Sequence, residues 1–369
     1  MKYKTPLVSV TFSVTVLVSS VAVAQQNVGD TPTQARTPDG EFISWKEHII
    51  DDPETAGFGL SGSDGLVMAD IDDDGYEDIV SVHESDSEYD SGAYDPDFVP
   101  DAAGHVRIAF GSNNPDRWEN ITLAEGSDAP APEDAAIADF NNDGFLDVVV
   151  AAELSHLIYL QNPGANIRTT QWRRLIIPMT RGTGSYIRVF AADLDGDGIP
   201  EVSAANKGAQ RPGPPDYARA TPVSVFKFDG DPLDDGSWSE IVLGRYSVPQ
   251  NSEPIDIDGD GDLDIMVGTR GEDRLILFEN ISQNGRMEFK EHAIGINRNS
   301  ASGFNMEYSD LNGDERLDII VRTRNGLSWL EQPAFIDDVW NPHFVGTFSP
   351  DSITGLEVAD INNDGHTDI

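Results

Sequence analysis

The sequence predicts an all-β protein, a β-propeller of four-stranded antiparallel blades. An acidic loop of the pattern D-x-D-x-D-G-x-x-D, or a close variant of it, occurs six times in 369 residues. The copies are spaced by roughly 50–70 residues, which indicates a repeat architecture. Short apolar segments flank the loops, and no stretch shows sustained helical periodicity. Four-stranded repeats in series favour a radial arrangement, in which few strand edges are exposed.

The chain begins with a predicted signal peptide, residues 1–24. Lys2 and Lys4 precede an apolar run over residues 7–21, and Ala22 and Ala24 supply the small residues of a cleavage site. The sequence contains no cysteine, so neither a lipid anchor at that site nor a disulfide is expected. We therefore expect a secreted or periplasmic protein.

Residues 25–40 are polar and rich in Thr, Pro and Gln, which predicts a flexible linker. The propeller is predicted over residues 41–369. Its first segment, residues 42–50, alternates apolar and polar residues and is expected to be an outermost strand that completes the last blade across the ring junction. The chain stops at Ile369, as the second strand of the sixth repeat begins. We therefore expect six visible blades, the last truncated, and seven in the full-length protein.

Each repeat is predicted to contain four strands in a fixed order. The first strand leads into the acidic loop and the second leaves it, as residues 66–69 and 79–82 show. A third apolar segment follows, for example residues 275–278. The fourth strand is clearest in the Trp-containing segments, such as residues 238–243.

The acidic loop suits a hard cation. In the fourth copy, Asp256, Asp258 and Asp260 place oxygens on alternate residues, the Asp262 carbonyl adds a backbone oxygen, and Asp264 closes the set. Glycine at the sixth position allows the sharp reversal, because positive φ costs it little. Without cysteine or paired histidine, zinc and copper are disfavoured. The ion predicted is Ca²⁺.

We expect about five or six structural Ca²⁺ sites. Glu315 replaces the glycine of the fifth loop, which puts occupancy of that loop in doubt. The predicted ligands of all six loops are Asp70, Asp72, Asp74, Asp78, Asp139, Asn141, Asp143, Asp147, Asp193, Asp195, Asp197, Glu201, Asp256, Asp258, Asp260, Asp264, Asp310, Asn312, Asp314, Asp318, Asp360, Asn362, Asp364 and Asp368. The EF-hand is rejected, because these loops lack its twelfth-position Glu and its flanking helices.

The repeats resemble the FG-GAP/VCBS family, which includes the integrin α-subunit propeller and many secreted bacterial proteins. Residues 255–281 match the family unit step for step, and residues 275–280 carry its closing segment. The resemblance covers about residues 41–369. It implies a calcium-binding propeller, usually of seven blades, with the ions in the loops between the first and second strands. Its motifs are specific to the fold rather than to a function.

The net charge of −41 disfavours nucleic acid and anionic membrane surfaces as partners, and no segment after the signal peptide predicts membrane insertion. Several basic residues are predicted to lie on the propeller face opposite the acidic loops. The candidates for ligand binding are Arg181, Arg188, Lys207, Arg245 and Arg298. A cationic channel mouth would bind an anionic polysaccharide. A cell-surface or extracellular protein is the other possible partner.

The function predicted is that of a secreted, calcium-stabilised binding or adhesion module. The alternative is a propeller-fold polysaccharide lyase or another glycan-degrading enzyme, in which His83, His156 or Tyr186 would act as a base beside an arginine. The sequence contains neither G-x-S-x-G nor H-E-x-x-H, so no catalytic residue is assigned.

Overall fold

The computed structural model describes residues 31–40, 42–84, 104–169, 171–283, 286–348, 353 and 355–369. The predicted signal peptide lies outside these residues. The chain divides into two compact units, Met1–His48 and Ile49–Ile369.

The first unit contains an antiparallel hairpin of β1 (Thr31–Arg36) and β2 (Phe42–Trp45). Gly40 N donates to Thr37 O over 2.9 Å and has φ of 90°. A flexible linker was predicted over residues 25–40, whereas residues 31–36 form β1. The strand forms because Thr-Pro-Asp-Gly at 37–40 is a turn sequence that folds the polar segment back. Phe42–Trp45 pairs with β1, whereas an outermost strand over residues 42–50 was expected.

Within the described residues, the second unit contains five four-stranded antiparallel sheets, each built from strands that are consecutive in sequence. We name them the first to fifth blades. The first blade contains β3 (Leu66–Ala69), β4 (Asp78–His83), β5 (His105–Phe110) and β6 (Glu119–Glu125). The second contains β7 (Pro132–Ala138), β8 (Asp147–Ala152), β9 (Leu157–Gln161) and β10 (Arg173–Ile176).

The remaining three blades follow the same order. The third contains β11 (Val189–Ala192), β12 (Glu201–Ala205), β13 (Ala220–Phe228) and β14 (Trp238–Ser247). The fourth contains β15 (Pro249–Ile255), β16 (Asp264–Thr269), β17 (Arg274–Asn280) and β18 (Phe289–Ile294). The fifth contains β19 (Ala301–Ser309), β20 (Asp318–Thr323), β21 (Gly326–Glu331) and β22 (Asn341–Gly346).

Helical structure in the described ranges is slight. The helices α1 (Pro53–Ala56) and α2 (Pro214–Tyr217) are single turns, and four short 3-10 turns occur at Gly126–Asp128, Gly164–Asn166, Pro178–Thr180 and Asp235–Ser237. No helix in these ranges has the length and apolar character needed to cross a membrane.

The core consists of layers between neighbouring blades. Val80 and Ile108 of the first blade pack in one cluster with Val148 and Ile158 of the second. Further clusters join the second blade to the third, the third to the fourth, and the fourth to the fifth. The middle strands are buried on both faces, which explains unbroken apolar runs such as Val148-Val149-Val150.

The first strands of successive blades lie side by side: β7 contacts β3 and β11, and β15 contacts β11 and β19. Each sheet therefore runs outward from a shared inner region, which is the radial arrangement of a propeller. The predicted all-β architecture of four-stranded blades is confirmed. In the sixth repeat, an isolated bridge joins Ala359 to Asp368.

Candidate calcium-binding loops and a neighbouring cavity

The acidic loops connect the first and second strands of each blade, as the sequence predicted. They span residues 70–78, 139–147, 193–201, 256–264 and 310–318, and a sixth spans residues 360–368. The first-position carboxylate organises each loop. In the first loop, Asp70 Oδ1 accepts the backbone N–H of Asp74 over 3.0 Å, and Asp70 Oδ2 accepts that of Gly75 over 2.9 Å.

Two residues of every loop adopt left-handed backbone geometry. The sixth-position residues have φ between 69° and 98°, and Glu315 folds like the glycines with φ of 69°. The fourth-position residues also have positive φ; they are Asp73, Asn142, Gly196, Gly259, Gly313 and Asn363. The sequence interpretation missed this second requirement. Its signal was present, because Asp, Asn and Gly are the residues that tolerate this conformation.

The ninth-position carboxylate connects the loop to the blade. Asp78 is fully buried; its Oδ2 accepts the N–H of Ile71 over 2.9 Å, and its Oδ1 accepts the N–H of Gly111 over 2.8 Å. Asp264 is placed in the same way, accepting from Ile257 and Asn280 over 3.2 and 2.7 Å. Burial raises the pKa of Asp264 to about 7. The ninth residue therefore closes the loop on the protein side as well as facing the predicted ion position.

The loop residues fit a calcium ion. In three loops the carboxylate oxygens lie within 4.8 Å of one another; the groups are Asp70, Asp72 and Asp78; Asp193, Asp195 and Asp197; and Asp256, Asp258 and Asp260. Asp72 Oδ1 and Asp262 Oδ1 are buried without a hydrogen-bond partner. An all-oxygen, carboxylate-rich set of this kind is the donor set of Ca²⁺. A bound ion would neutralise carboxylates that otherwise repel one another.

Basic side chains reach three of the loops. Arg168 Nη2 lies 2.6 Å from Asp72 Oδ2 in the first loop, and Arg316 pairs with Asp314 in the fifth. Lys227 Nζ donates to three carboxylates of the third loop over 2.7–2.8 Å, and Lys227 keeps a raised pKa because these bonds outweigh the effect of its burial.

A cavity of about 550 Å³ lies beside the first loop. It is lined by Asp72, Phe145 of the second loop and residues 164–169, which connect β9 to β10. Arg168 extends from this connection and bonds Asp72, Asp74 and Glu119. Phe145 remains 38% exposed. The sequence interpretation missed this site because its parts come from two blades.

The five predicted ligand-binding residues each contact different neighbours, and the contacts of the described residues do not join them in one patch. Arg181 pairs with Asp235, in the turn before β14, over 3.2 Å. Arg245 lies exposed in the outer strand β14. Arg298 lies exposed between β18 and β19 with φ of 53°.

Arg188 lies at the inner strands among carboxylates. It bonds Asn305, and its Nη1 lies 3.9 Å from Asp134 Oδ2. Burial raises the pKa of Asp134 to about 6 despite this arginine. Burial and like charge raise the pKa values of Glu253 and Glu307 to about 7. Acidic groups therefore predominate around Arg188.

Lys207 is buried and pairs with Glu153. Burial, together with the charge of Glu153, raises the pKa of Glu84 to about 7 and that of Glu133 to about 10. Asp64 lies within 4.8 Å of these two carboxylates, measured between ligand atoms. The lysine is thus surrounded by acids and is not presented on a cationic surface.

The residues considered for lyase chemistry are buried. His156 Nε2 contacts Asp128 O at 3.1 Å and Nδ1 contacts Ser155 Oγ at 2.7 Å. Burial lowers the pKa of His83 and raises that of Tyr186 to about 12. These three side chains therefore lie inside the protein rather than at its surface.

The fold and loops define the class of this protein: a β-propeller whose blades carry acidic, oxygen-rich loops between their first and second strands. The FG-GAP-like repeat family matches residues 139–203, 256–321 and 310–369. These three stretches are similar to FG-GAP-like repeats, and the predicted resemblance is confirmed.

No curated protein matches the chain. Among solved structures, a lectin from Agrocybe aegerita is similar at 14% identity and a TM-score of 0.45; the match covers 84% of this chain and 72% of that one. That lectin specifically recognises non-reducing terminal N-acetylglucosamine.

Proposed function

We propose that this protein is an exported, calcium-stabilised binding module that recognises an anionic polysaccharide. The observation that carries the proposal is the cavity beside the first loop, where Arg168 meets the carboxylate of Asp72. Its volume of about 550 Å³ lies within the range of ordinary ligand sites, roughly 300–1,000 Å³.

Arg168 is the residue proposed to bind the ligand. Its guanidinium can hold two oxygens of a uronate or sulfate at once. Asp72, Asp74 and Glu119 now accept its hydrogen bonds. With the first-loop carboxylates committed to calcium, Arg168 would retain Glu119 and gain free donors for an acidic sugar.

Phe145 complements this charge. Its exposed ring lines the same cavity, and aromatic faces suit the C–H surfaces of sugar rings. The molecule as a whole carries a net charge of −41, so a polyanion would be repelled everywhere except near such a site. Binding should therefore be local and weakened by salt. Export is supported by the features of residues 1–24.

The test is titration calorimetry with a uronic-acid oligosaccharide and a neutral oligosaccharide of equal length, in calcium and in excess EGTA. We expect binding of the uronate in calcium only, and its loss in Arg168→Ala. Arg173→Ala is the matched control, because Arg173 is exposed on neighbouring β10 and bonds Gln161 over 3.4 Å. Equal binding of uronate by wild type and Arg168→Ala would refute the proposed site.

A further inference from the structure

One position in each blade lies directly across from the ninth residue of the acidic loop. The second and third strands pair antiparallel in the same register in all five blades. The residues at this facing position are Phe110, Gln161, Lys227, Glu279 and Glu331. Only the third blade among these places a cation there, and the fourth and fifth blades each place an anion.

The third blade also differs in its ninth residue, which is Glu201 where the others have aspartate. In the other four blades, aspartate Oδ1 accepts a backbone N–H at the end of the third strand, over 2.7–3.0 Å. Glu201 Oε2 still accepts from Leu194 over 2.9 Å, but its Oε1 accepts from Lys227 Nζ over 2.7 Å. The lysine at the facing position and the glutamate at the ninth position therefore occur in the same blade and bond each other.

The ammonium of Lys227 lies among the oxygens that would hold a cation. It bonds the third-, fifth- and ninth-position carboxylates of its loop, Asp195, Asp197 and Glu201. The side chains of Asp195 and Glu201 are 4% and 0% exposed, whereas that of Asp197 is 41% exposed, so the ammonium lies between the buried and the exposed oxygens of the loop. A second cation at the same oxygens would meet a positive charge at close range.

Arg168 in the first loop is a different case. It reaches Asp72 and Asp74 from the connection before β10, shares its charge with Glu119 and has no bond to the ninth residue, Asp78. Both oxygens of Asp78 accept backbone N–H groups. Arg168 therefore contacts the first loop from its side, whereas the ammonium of Lys227 lies among the carboxylates of the third loop.

We propose that Lys227 is the resident cation of the third loop, so that this loop closes without calcium while the fourth loop requires it. The inference rests on the proposed function in one respect, that calcium is the ion of the other loops. It separates the third loop from the fourth, although both loops have four carboxylates and two glycines at matching positions. Lys227 thereby sets the cation specificity of its blade.

The test is the number of calcium ions bound per molecule, by native mass spectrometry and calorimetry. Lys227→Met should bind one more ion than wild type, or bind its weakest ion at least about tenfold more tightly. Gln161→Lys places a lysine at the facing position of the second blade and should bind one ion fewer. Val242→Lys adds the same charge on exposed β14 and should leave the number unchanged.

Hydrogen exchange provides a second readout that does not depend on counting ions. In EGTA, wild type should protect residues 193–201 more than residues 256–264, and Lys227→Met should lose that difference. If wild type binds no calcium at all, the proposed function fails. If it binds calcium but neither Lys227→Met nor Gln161→Lys changes stoichiometry, affinity or protection, the role of Lys227 is refuted while the proposed function stands. Should Lys227→Met fail to fold, Gln161→Lys alone decides.

Discussion

The third and fourth blades have the same loop pattern, D-x-D-G-D-G, but different charged residues around the loop. The third blade contributes Arg188, Lys207 and Lys227, each beside carboxylates. The fourth blade contributes Glu253 at the inner strands and Glu279 opposite the loop, where Glu279 bonds Lys290 and His292 rather than the loop. The contrast teaches that the loop motif sets the backbone conformation of the loop. Residues of neighbouring strands set how much of the carboxylate charge is left for a bound cation to neutralise.

The largest effect should come from calcium removal. Each ion that binds only the folded state at about a hundredfold excess over its dissociation constant contributes about 2.7 kcal/mol. We expect EGTA to lower the melting temperature by about 10 °C or more, measured by calorimetry. Calcium-saturated EGTA is the control for chelator effects. An unchanged melting curve would contradict the structural role of calcium.

A smaller effect is expected from pH, through the acids around Arg188. The folded-state pKa values of Glu253 and Glu307 are raised to about 7, above the unfolded value of about 4.3. The folded protein therefore binds more protons between these values, and its free energy of unfolding should fall as pH rises from about 4.5 to about 7.

Glu253→Gln tests this pH dependence. In saturating calcium, it should reduce the fall and raise stability at pH 8 by about 2 kcal/mol, measured by urea unfolding. Glu288→Gln is the control, because Glu288 is exposed. A pH profile of Glu253→Gln that coincides with that of wild type would contradict the assignment.

A third prediction concerns the junction between the two blades. Asn280 is buried, and its Nδ2 donates to Leu194 O of the third loop over 2.8 Å and to Leu263 O over 3.0 Å. Asn280→Ala leaves both carbonyls without this donor and should cost about 2 kcal/mol of unfolding free energy. Gln332→Ala, which removes a similar bond to Ile257 O, should behave alike. Wild-type stability in both variants would mean that these bonds contribute nothing.

The smallest effect is expected at the fifth loop. Glu315 has φ of 69°, a conformation that costs a non-glycine residue about 1 kcal/mol. Glu315→Gly should stabilise by about that amount, and Gly261→Glu at the equivalent position of the fourth loop should destabilise. Thermal unfolding in calcium measures both. Destabilisation by Glu315→Gly would show that the side chain makes a compensating contact.

The blades and their loops could be predicted from the sequence because both are local: a hairpin contains its own acidic residues. The facing position could not, because assigning Lys227 to Glu201 requires the register of two strands. The grouping of basic residues on one face also could not be judged from the sequence, because it depends on contacts between blades. Lys207 is neutralised by Glu153, which lies 54 residues away in another blade. The hairpin of β1 was missed because its polar strand lacks an apolar pattern.

The amide of Asn280 determines which blades could be joined in tandem to make a new repeat protein. Asn162, Asn280 and Gln332 each reach a loop carbonyl of the preceding blade. At the matching place the third blade has Phe228, whose ring packs 6.4 Å from Phe140, between centroids. Tandem copies of the fourth blade should therefore join one another, since each Asn280 would meet an Ile257 carbonyl. Tandem copies of the third blade would bring Phe228 to Leu194 and leave its carbonyl without an amide donor.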